Sequence, residues 1–368
     1  MIVNGVIGFA CIKDQQQPIR ILTAFSRAGK IPHAMLFTGS DGVGKRTTAL
    51  AFAMVCNCTG NRVSTGLNPG DDACAEAGAD EMAGLPMACG QCRSCKKIQA
   101  DSHPDVIRIA PVGQFVRIAQ IRELLHILAM KPYEASWRVV IISDAHAMNS
   151  EAGNALLKVL EEPPDRTILI LTARGTADLL PTIVSRCRRI RFNPLSRQSL
   201  AALLIENQAL PADTANALAA MADGSYGRAL RFYRQNWSDT RRWLIDAGGF
   251  LEVTPSTKRS ISVLMALALR LVENKHKLMD AMDMLTILYR DLAVCGFRRG
   301  AIMNEDLASR IQRAAEHMNE TDILLHMEAI ETARKHIQAN ANARLTVERL
   351  LMRLAGHLPA AARAIGSA

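Results

Sequence analysis

Residues 138–164, RVVIISDAHAMNSEAGNALLKVLEEPP, decide the fold. Residues 139–142 are a short β-branched run, too short for a helix and apolar on both faces, as expected of a central parallel strand covered by helices on each side. Asp144 follows at the carboxyl end, where open α/β sheets place their ligand chemistry. Ser150 is the expected cap of a helix over 151–162. Leu156, Leu157 and Leu160 form its apolar stripe, Glu151 lies in its first turn, and Pro163 and Pro164 stop it. A hydrophobic strand ending in an acid is half of a nucleotide-phosphate site. The other half is a glycine-rich loop upstream.

That loop is Gly39-Ser40-Asp41-Gly42-Val43-Gly44-Lys45, set between a strand at 35–37 and a helix at 46–55. It fits the phosphate-loop pattern G-x-x-x-x-G-K in the strand–loop–helix context that gives the pattern meaning. Gly39, Gly42 and Gly44 allow backbone amides to close around phosphates, the helix start adds positive potential, and Lys45 supplies a point charge. Two positions depart from a hydrolytic site. Arg46 stands where a Ser or Thr hydroxyl would reach Mg²⁺, and Thr47 lies about 100° further round the helix. Ser143 precedes Asp144 where two adjacent acids would be needed. ATP can lodge its phosphates on such a loop, but efficient hydrolysis is not expected, and the sequence leaves open whether nucleotide binds.

Nine cysteines occur in the chain. Cys89, Cys92 and Cys95 are spaced C-x-x-C-x-x-C, and Cys58 closes the preceding helix, so these four fit a closed tetrahedral Zn²⁺ site of structural type. Cys56 and Cys74 compete with Cys58 for the fourth place. The zinc module would span about 56–98, around an insertion at 59–88 rich in small residues and acids. Cys11, Cys187 and Cys295 stand alone and read as small core residues.

The chain has 368 residues, 49% of them hydrophobic, so two or three folded domains are expected rather than a disordered polymer. A net charge of +9 suits a nucleic-acid or acidic partner, while 4% aromatics argues against a base-stacking platform. No apolar run approaches a membrane span and the start has no basic n-region, so the expected location is the cytoplasm, without a membrane partner.

Downstream, strands are expected at 105–110 and 167–172 and a helix at 118–130; this βα alternation gives a parallel, doubly covered sheet. Ser185-Arg186-Cys187 lies where a helix hands over to a strand, so Arg186 can be presented rigidly. Beyond 195 the pattern becomes helical, with GSYGRAL at 224–230 and an apolar stripe through Leu278, Met282, Leu285 and Leu292.

The segments KIPHAMLFTGSDGVGK, CGQCRSC, NALLKVLEEPP, SRC and RLTVERLLMRL occur in the order found in the clamp-loader ATPase family of bacterial replication, and the chain resembles that family over nearly its whole length. The resemblance implies an α/β AAA+ P-loop domain with a zinc module over 1–194, a helical lid over 195–238 and an all-α collar over 239–368. It implies assembly with gamma/tau motor subunits and a clamp-opening delta subunit, and contact with a sliding clamp and primed DNA through that complex. Motor members carry Thr after the loop lysine and Asp-Glu after the second strand. Arg46 and Ser143-Asp144 instead match the stator type, which neither polymerises DNA nor hydrolyses ATP efficiently itself. Arg186 is then implied to act in trans as an arginine finger on a neighbour's ATP. In the lid, Gly227 fills the place of the motor type's arginine, and Arg228 follows it.

Overall fold

The computed structural model describes residues 8–60, 88–113, 115–234, 236–252, 260–295 and 302–358. The chain divides into two compact units, Met1–Arg228 and Ala229–Ala368.

The first unit is built on five parallel strands: β1 (Ala34–Thr38), β2 (Val106–Ile109), β3 (Arg138–Ile142), β4 (Thr167–Ala173) and β5 (Arg188–Arg191). Their order across the sheet is β2-β3-β4-β1-β5, the arrangement of an AAA+ P-loop core. Every residue of β3 and β4 is buried, because helices cover both faces and leave no place for a polar alternation. On one face lie α1 (Gln16–Arg27), α2 (Lys45–Asn57) and α3 (Arg93–Gln99), packed with Met35, Phe37, Ile141 and Ile170. On the other lie α4 (Ile118–Leu128), α5 (Ser150–Glu161) and α6 (Pro181–Arg186), packed with Leu36, Val140, Ile142 and Leu169.

The chain enters at β1, crosses to the far edge at β2, returns through β3 and β4, and ends on the other side of β1. The loop after β1 therefore opens beside the end of β4, at the point where the strand order reverses and α/β sheets bind ligands. Asn57 fastens α2 to β3: its amide donates to Trp137 O at 2.9 Å and accepts from Trp137 N at 2.9 Å. Arg138 is buried and donates to Ile127 O and Met130 O at 2.9 and 2.7 Å, with Asp105 3.6 Å away.

Two expectations need correcting. The cap of α5 is Asn149, whose side-chain oxygen accepts from Ala152 N at 2.9 Å, and Ser150 is already helical; either residue type can cap, and Asn149 has the extended backbone that a cap needs. Helix α4 ends at Leu128, not at 130; at this end, where carbonyls lack the next turn's donors, those of Ile127 and Met130 accept from Arg138.

After β5 come α7 (Arg197–Gln208), α8 (Ala212–Met221) and α9 (Tyr226–Arg234), the last of which starts within the first unit. The second unit is helical: α10 (Trp237–Gly248), α11 (Ile261–Val272), α12 (Lys275–Cys295), α13 (Ala308–His317), α14 (Glu320–Gln338) and α15 (Ala343–Leu354). Leu278, Met282, Leu285 and Leu292 of α12 are all buried, as an apolar helical stripe requires. Asp291 is fully buried there and holds the chain at 303–304 through Met303 N, Asn304 N and Asn304 Nδ2.

Candidate functional site

The phosphate loop runs from β1 into α2. Gly39, Gly42 and Gly44 have φ of 149°, 75° and 102°, values that side chains rarely adopt. Gly39 also approaches closely: a Cβ there would stand 2.5 Å from Phe192 O. The first turn of α2 has no side-chain cap, which leaves its amides available to an anion.

Lys45 is buried and folds back on its own loop. Its ammonium donates to Gly39 O, and to Ser40 O at 2.7 Å. Burial pushes its pKa down, against the opposing pull of Asp41 and Asp144. Asp144 lies just past β3 with φ 51°, and its backbone N–H donates to Thr172 Oγ1 at the end of β4, 3.1 Å away. The chain thus brings Gly39, Gly42, Gly44, Lys45 and Asp144 to one edge of the sheet. Arg46 is exposed and Ser143 buried, and neither carries a carboxylate.

Two features of this edge were not read from the sequence. Arg174, just beyond β4, pairs with Asp41 at 2.7 Å. The start of α9 lies on the loop: Ser225 Oγ donates to Asp41 O at 2.6 Å and Tyr226 N to Gly42 O at 3.1 Å. A Cβ on Gly42 would meet Gly227 N at 2.6 Å, so the backbones touch where α9 begins. All four carbonyls of residues 39–42 consequently have donors from this chain. The nearest sequence signal was the G-S-x-G-R spacing at 224–228.

The cysteine cluster lies behind α2. Cys58 is the C-cap of α2 and has extended backbone. The Sγ atoms of Cys58, Cys89, Cys92 and Cys95 all lie within 4.8 Å of one another. Four thiolates at about 2.3 Å from one Zn²⁺ would be about 3.8 Å apart, so the set fits a tetrahedral ion after a small contraction. Backbone amides already point at the sulfurs, Cys89 N to Cys58 Sγ at 3.3 Å, Cys92 N to Cys89 Sγ at 3.3 Å and Cys95 N to Cys92 Sγ at 3.4 Å. Burial raises the Cys92 pKa, but hydrogen bonds from Thr59 and Cys95 outweigh it and bring the thiol down to about 5. Cys56 is outside the cluster, and its burial pushes its pKa up to about 12. Cys74 lies outside the described residues, as does most of the 59–88 insertion.

Arg186 is the last residue of α6, one position before β5 begins after Cys187. Within the chain its guanidinium pairs with Glu161 Oε1 at 2.7 Å and donates to Thr182 O at 3.1 Å. Its side chain is 37% exposed and that of Glu161 50%. The pair is therefore solvated and exchangeable.

Comparison with known proteins gives a consistent result. Residues 14–196 match the family model described as DNA polymerase III, delta subunit. A DNA polymerase III subunit delta' of Bacillus subtilis (strain 168) is 27% identical over 92% of this chain and 96% of its own length. The subunit delta' of Pseudomonas aeruginosa is 32% identical over 58% of this chain and 60% of its own length. The subunit tau of Escherichia coli (strain K12) is 26% identical over 94% of this chain but only 53% of its own length. No described helix is long and apolar enough to cross a membrane.

Proposed function

We infer the function of this chain from one premise: it belongs to the delta-prime family of DNA polymerase III clamp-loader subunits. We propose that it is the non-hydrolysing stator of the loader. It would assemble with gamma/tau motor subunits and the clamp-opening delta subunit, and help place the sliding clamp on primed DNA. The AAA+ region would be 1–194, the lid 195–238 and the collar 239–368. Its own contribution to the chemistry is Arg186, offered from a rigid helix–strand junction to the ATP of a neighbouring motor.

The observation that carries this reading is the pairing of an intact phosphate loop with Arg46 and Ser143 at the metal positions. Phosphoryl transfer is catalysed almost entirely by positioning and by charge set in place beforehand, and Mg²⁺ is the largest of those charges. Without a hydroxyl at 46 and a second acid at 143, the ion would be held by phosphates and water alone. The satisfied carbonyls of residues 39–42 support the same reading, since a loop fastened to its lid suits a fixed body better than a cycling one.

Arg186 would leave Glu161 for the γ-phosphate oxygens of the neighbouring ATP. A planar guanidinium meets the negative charge spreading over those oxygens as the bond breaks. Zinc would be held by Cys58, Cys89, Cys92 and Cys95. Its role would be structural, because four thiolates leave no open coordination position.

The competing reading is an ATP-hydrolysing motor of gamma/tau type, favoured by the tau relative's match over most of this chain. Mg²⁺-dependent ATP turnover by the isolated chain separates the two. Negligible turnover, at least a hundredfold or so below a motor subunit, is expected from the lost metal groups. Robust turnover abolished by Lys45→Ala would establish the motor instead.

A further inference from the structure

Strand β5 closes one side of the sheet, next to β1 and with no strand beyond it among the described residues. Its sequence is Arg188-Arg189-Ile190-Arg191; only Ile190 is buried and the three arginines are exposed. Among the described residues none of the three makes an ion pair or side-chain hydrogen bond, unlike Arg186 just upstream, which has Glu161.

The register sorts them by face. Arg189 pairs across the sheet with Leu36 and Arg191 with Thr38, while Ile190 pairs with Phe37. Aligned neighbours in a sheet project to the same side. Leu36 belongs to the core beneath α4, α5 and α6, and Phe37 to the core beneath α1 and α2. Arg189 and Arg191 thus share the face of α6, whose last residue is Arg186, and Arg188 projects to the opposite face. Two residues along a strand span about 7 Å, so Arg189 and Arg191 form a short row on this face, three and five residues after Arg186.

We propose that Arg189 and Arg191 form an electrostatic docking strip for an acidic surface of the same neighbouring subunit whose ATP receives Arg186. This rests on the reading of Arg186 as a trans residue, which already places that corner of the sheet at a subunit junction. Continuity with the junction selects a protein carboxylate surface over nucleic acid, and two unpaired guanidiniums supply the complementary charge. Such groups steer association and fix register more than they add buried contact. Arginines on an edge strand also keep it from pairing with other chains, but any charge would do that.

The test reverses the charge while keeping the edge charged. The double variant Arg189→Glu/Arg191→Glu is reconstituted with motor and clamp-opening subunits, and assembly affinity is measured across a salt series, with Arg188→Glu as the opposite-face control. The account expects assembly weaker by about a hundredfold at low salt, roughly tenfold per reversal, with the difference shrinking as salt rises. Arg188→Glu should stay within about twofold, and all variants should melt near the wild type because the residues are exposed. Wild-type assembly by the double variant overturns the proposal. So does a loss confined to oligonucleotide binding by the free chain, which would assign the strip to nucleic acid. If Arg186→Ala slows the loader's ATPase while the double variant assembles normally, the strip falls and the stator reading stands. If the double variant weakens assembly while Arg186→Ala changes nothing, the arginine finger falls, and with it the assignment of the strip to the subunit whose ATP Arg186 would serve.

Discussion

Gly42→Ala should detach the start of α9 from the phosphate loop, and the structure sets the size of the effect. At φ 75° an L-residue costs about 1–2 kcal/mol relative to glycine. The new methyl would stand 2.5 Å from Ser225 Oγ, 2.6 Å from Gly227 N and 2.9 Å from Gly227 Cα. A hydroxyl can rotate away, but backbone cannot, so the start of α9 must move. That breaks the bonds from Ser225 Oγ to Asp41 O and from Tyr226 N to Gly42 O, each worth about 1 kcal/mol. The contact between α9 and the loop should therefore weaken by about 2 kcal/mol beyond the backbone strain, which corresponds to about thirtyfold faster hydrogen exchange at the Tyr226 amide. Gly44→Ala is the control: its φ of 102° is also strained, but nothing lies within 4 Å of the new methyl, so Tyr226 should keep its protection. Unchanged exchange at Tyr226 in Gly42→Ala, or equal loss in both variants, would refute the latch.

Metal analysis of protein purified without chelator should find one zinc per chain, and Cys58→Ser should lower zinc retention; full retention would mean that Cys58 is not a ligand. Asp105 offers a pH test. Burial pushes its pKa up, but the backbone N–H groups of Glu134, Tyr133 and Ala135, with Arg138, outweigh that and hold it below the usual carboxylate value. A depressed folded pKa means that the ion contributes stability above the unfolded pKa, near 4, and loses it as pH falls through the folded value. Asp105→Asn should thus cost about 1–3 kcal/mol at neutral pH, with the gap from wild type narrowing below about pH 4; a constant gap in melting temperature would count against it. Arg186→Ala should cost less than about 1 kcal/mol of stability, because its pair with Glu161 is solvated; a large drop in melting temperature would make Arg186 a structural residue.

Much of the sheet edge was legible because it is written in local patterns. The all-apolar runs of β3 and β4 mark central strands, glycines at 39, 42 and 44 mark a loop with positive φ, and C-x-x-C-x-x-C marks converging thiols. Contacts between distant segments were not legible. Ser225 and Asp41 are 184 residues apart, and Arg174 and Asp41 133; nothing in either segment names the other. Glu161 was not singled out in the sequence, yet it is the group that holds Arg186. At α5 the sequence points to Ser150 as the cap, but its neighbour Asn149 is also cap-competent, and only the backbone angles choose between them.

The central claim is that this chain hydrolyses nothing itself and acts on a neighbour's ATP through Arg186. The most direct measurement is DNA- and clamp-stimulated ATP hydrolysis by a loader reconstituted with Arg186→Ala, beside wild type and Arg186→Lys. A trans arginine is worth about a thousandfold or more at its own site. One of the loader's ATP sites should therefore fall nearly silent while the others, served by the motors' own arginines, continue. The account predicts a partial loss of ATPase and slower clamp loading with normal assembly and zinc content, and little rescue by lysine, which lacks the planar fork. Wild-type ATPase and clamp-loading rates in the Arg186→Ala complex would contradict it.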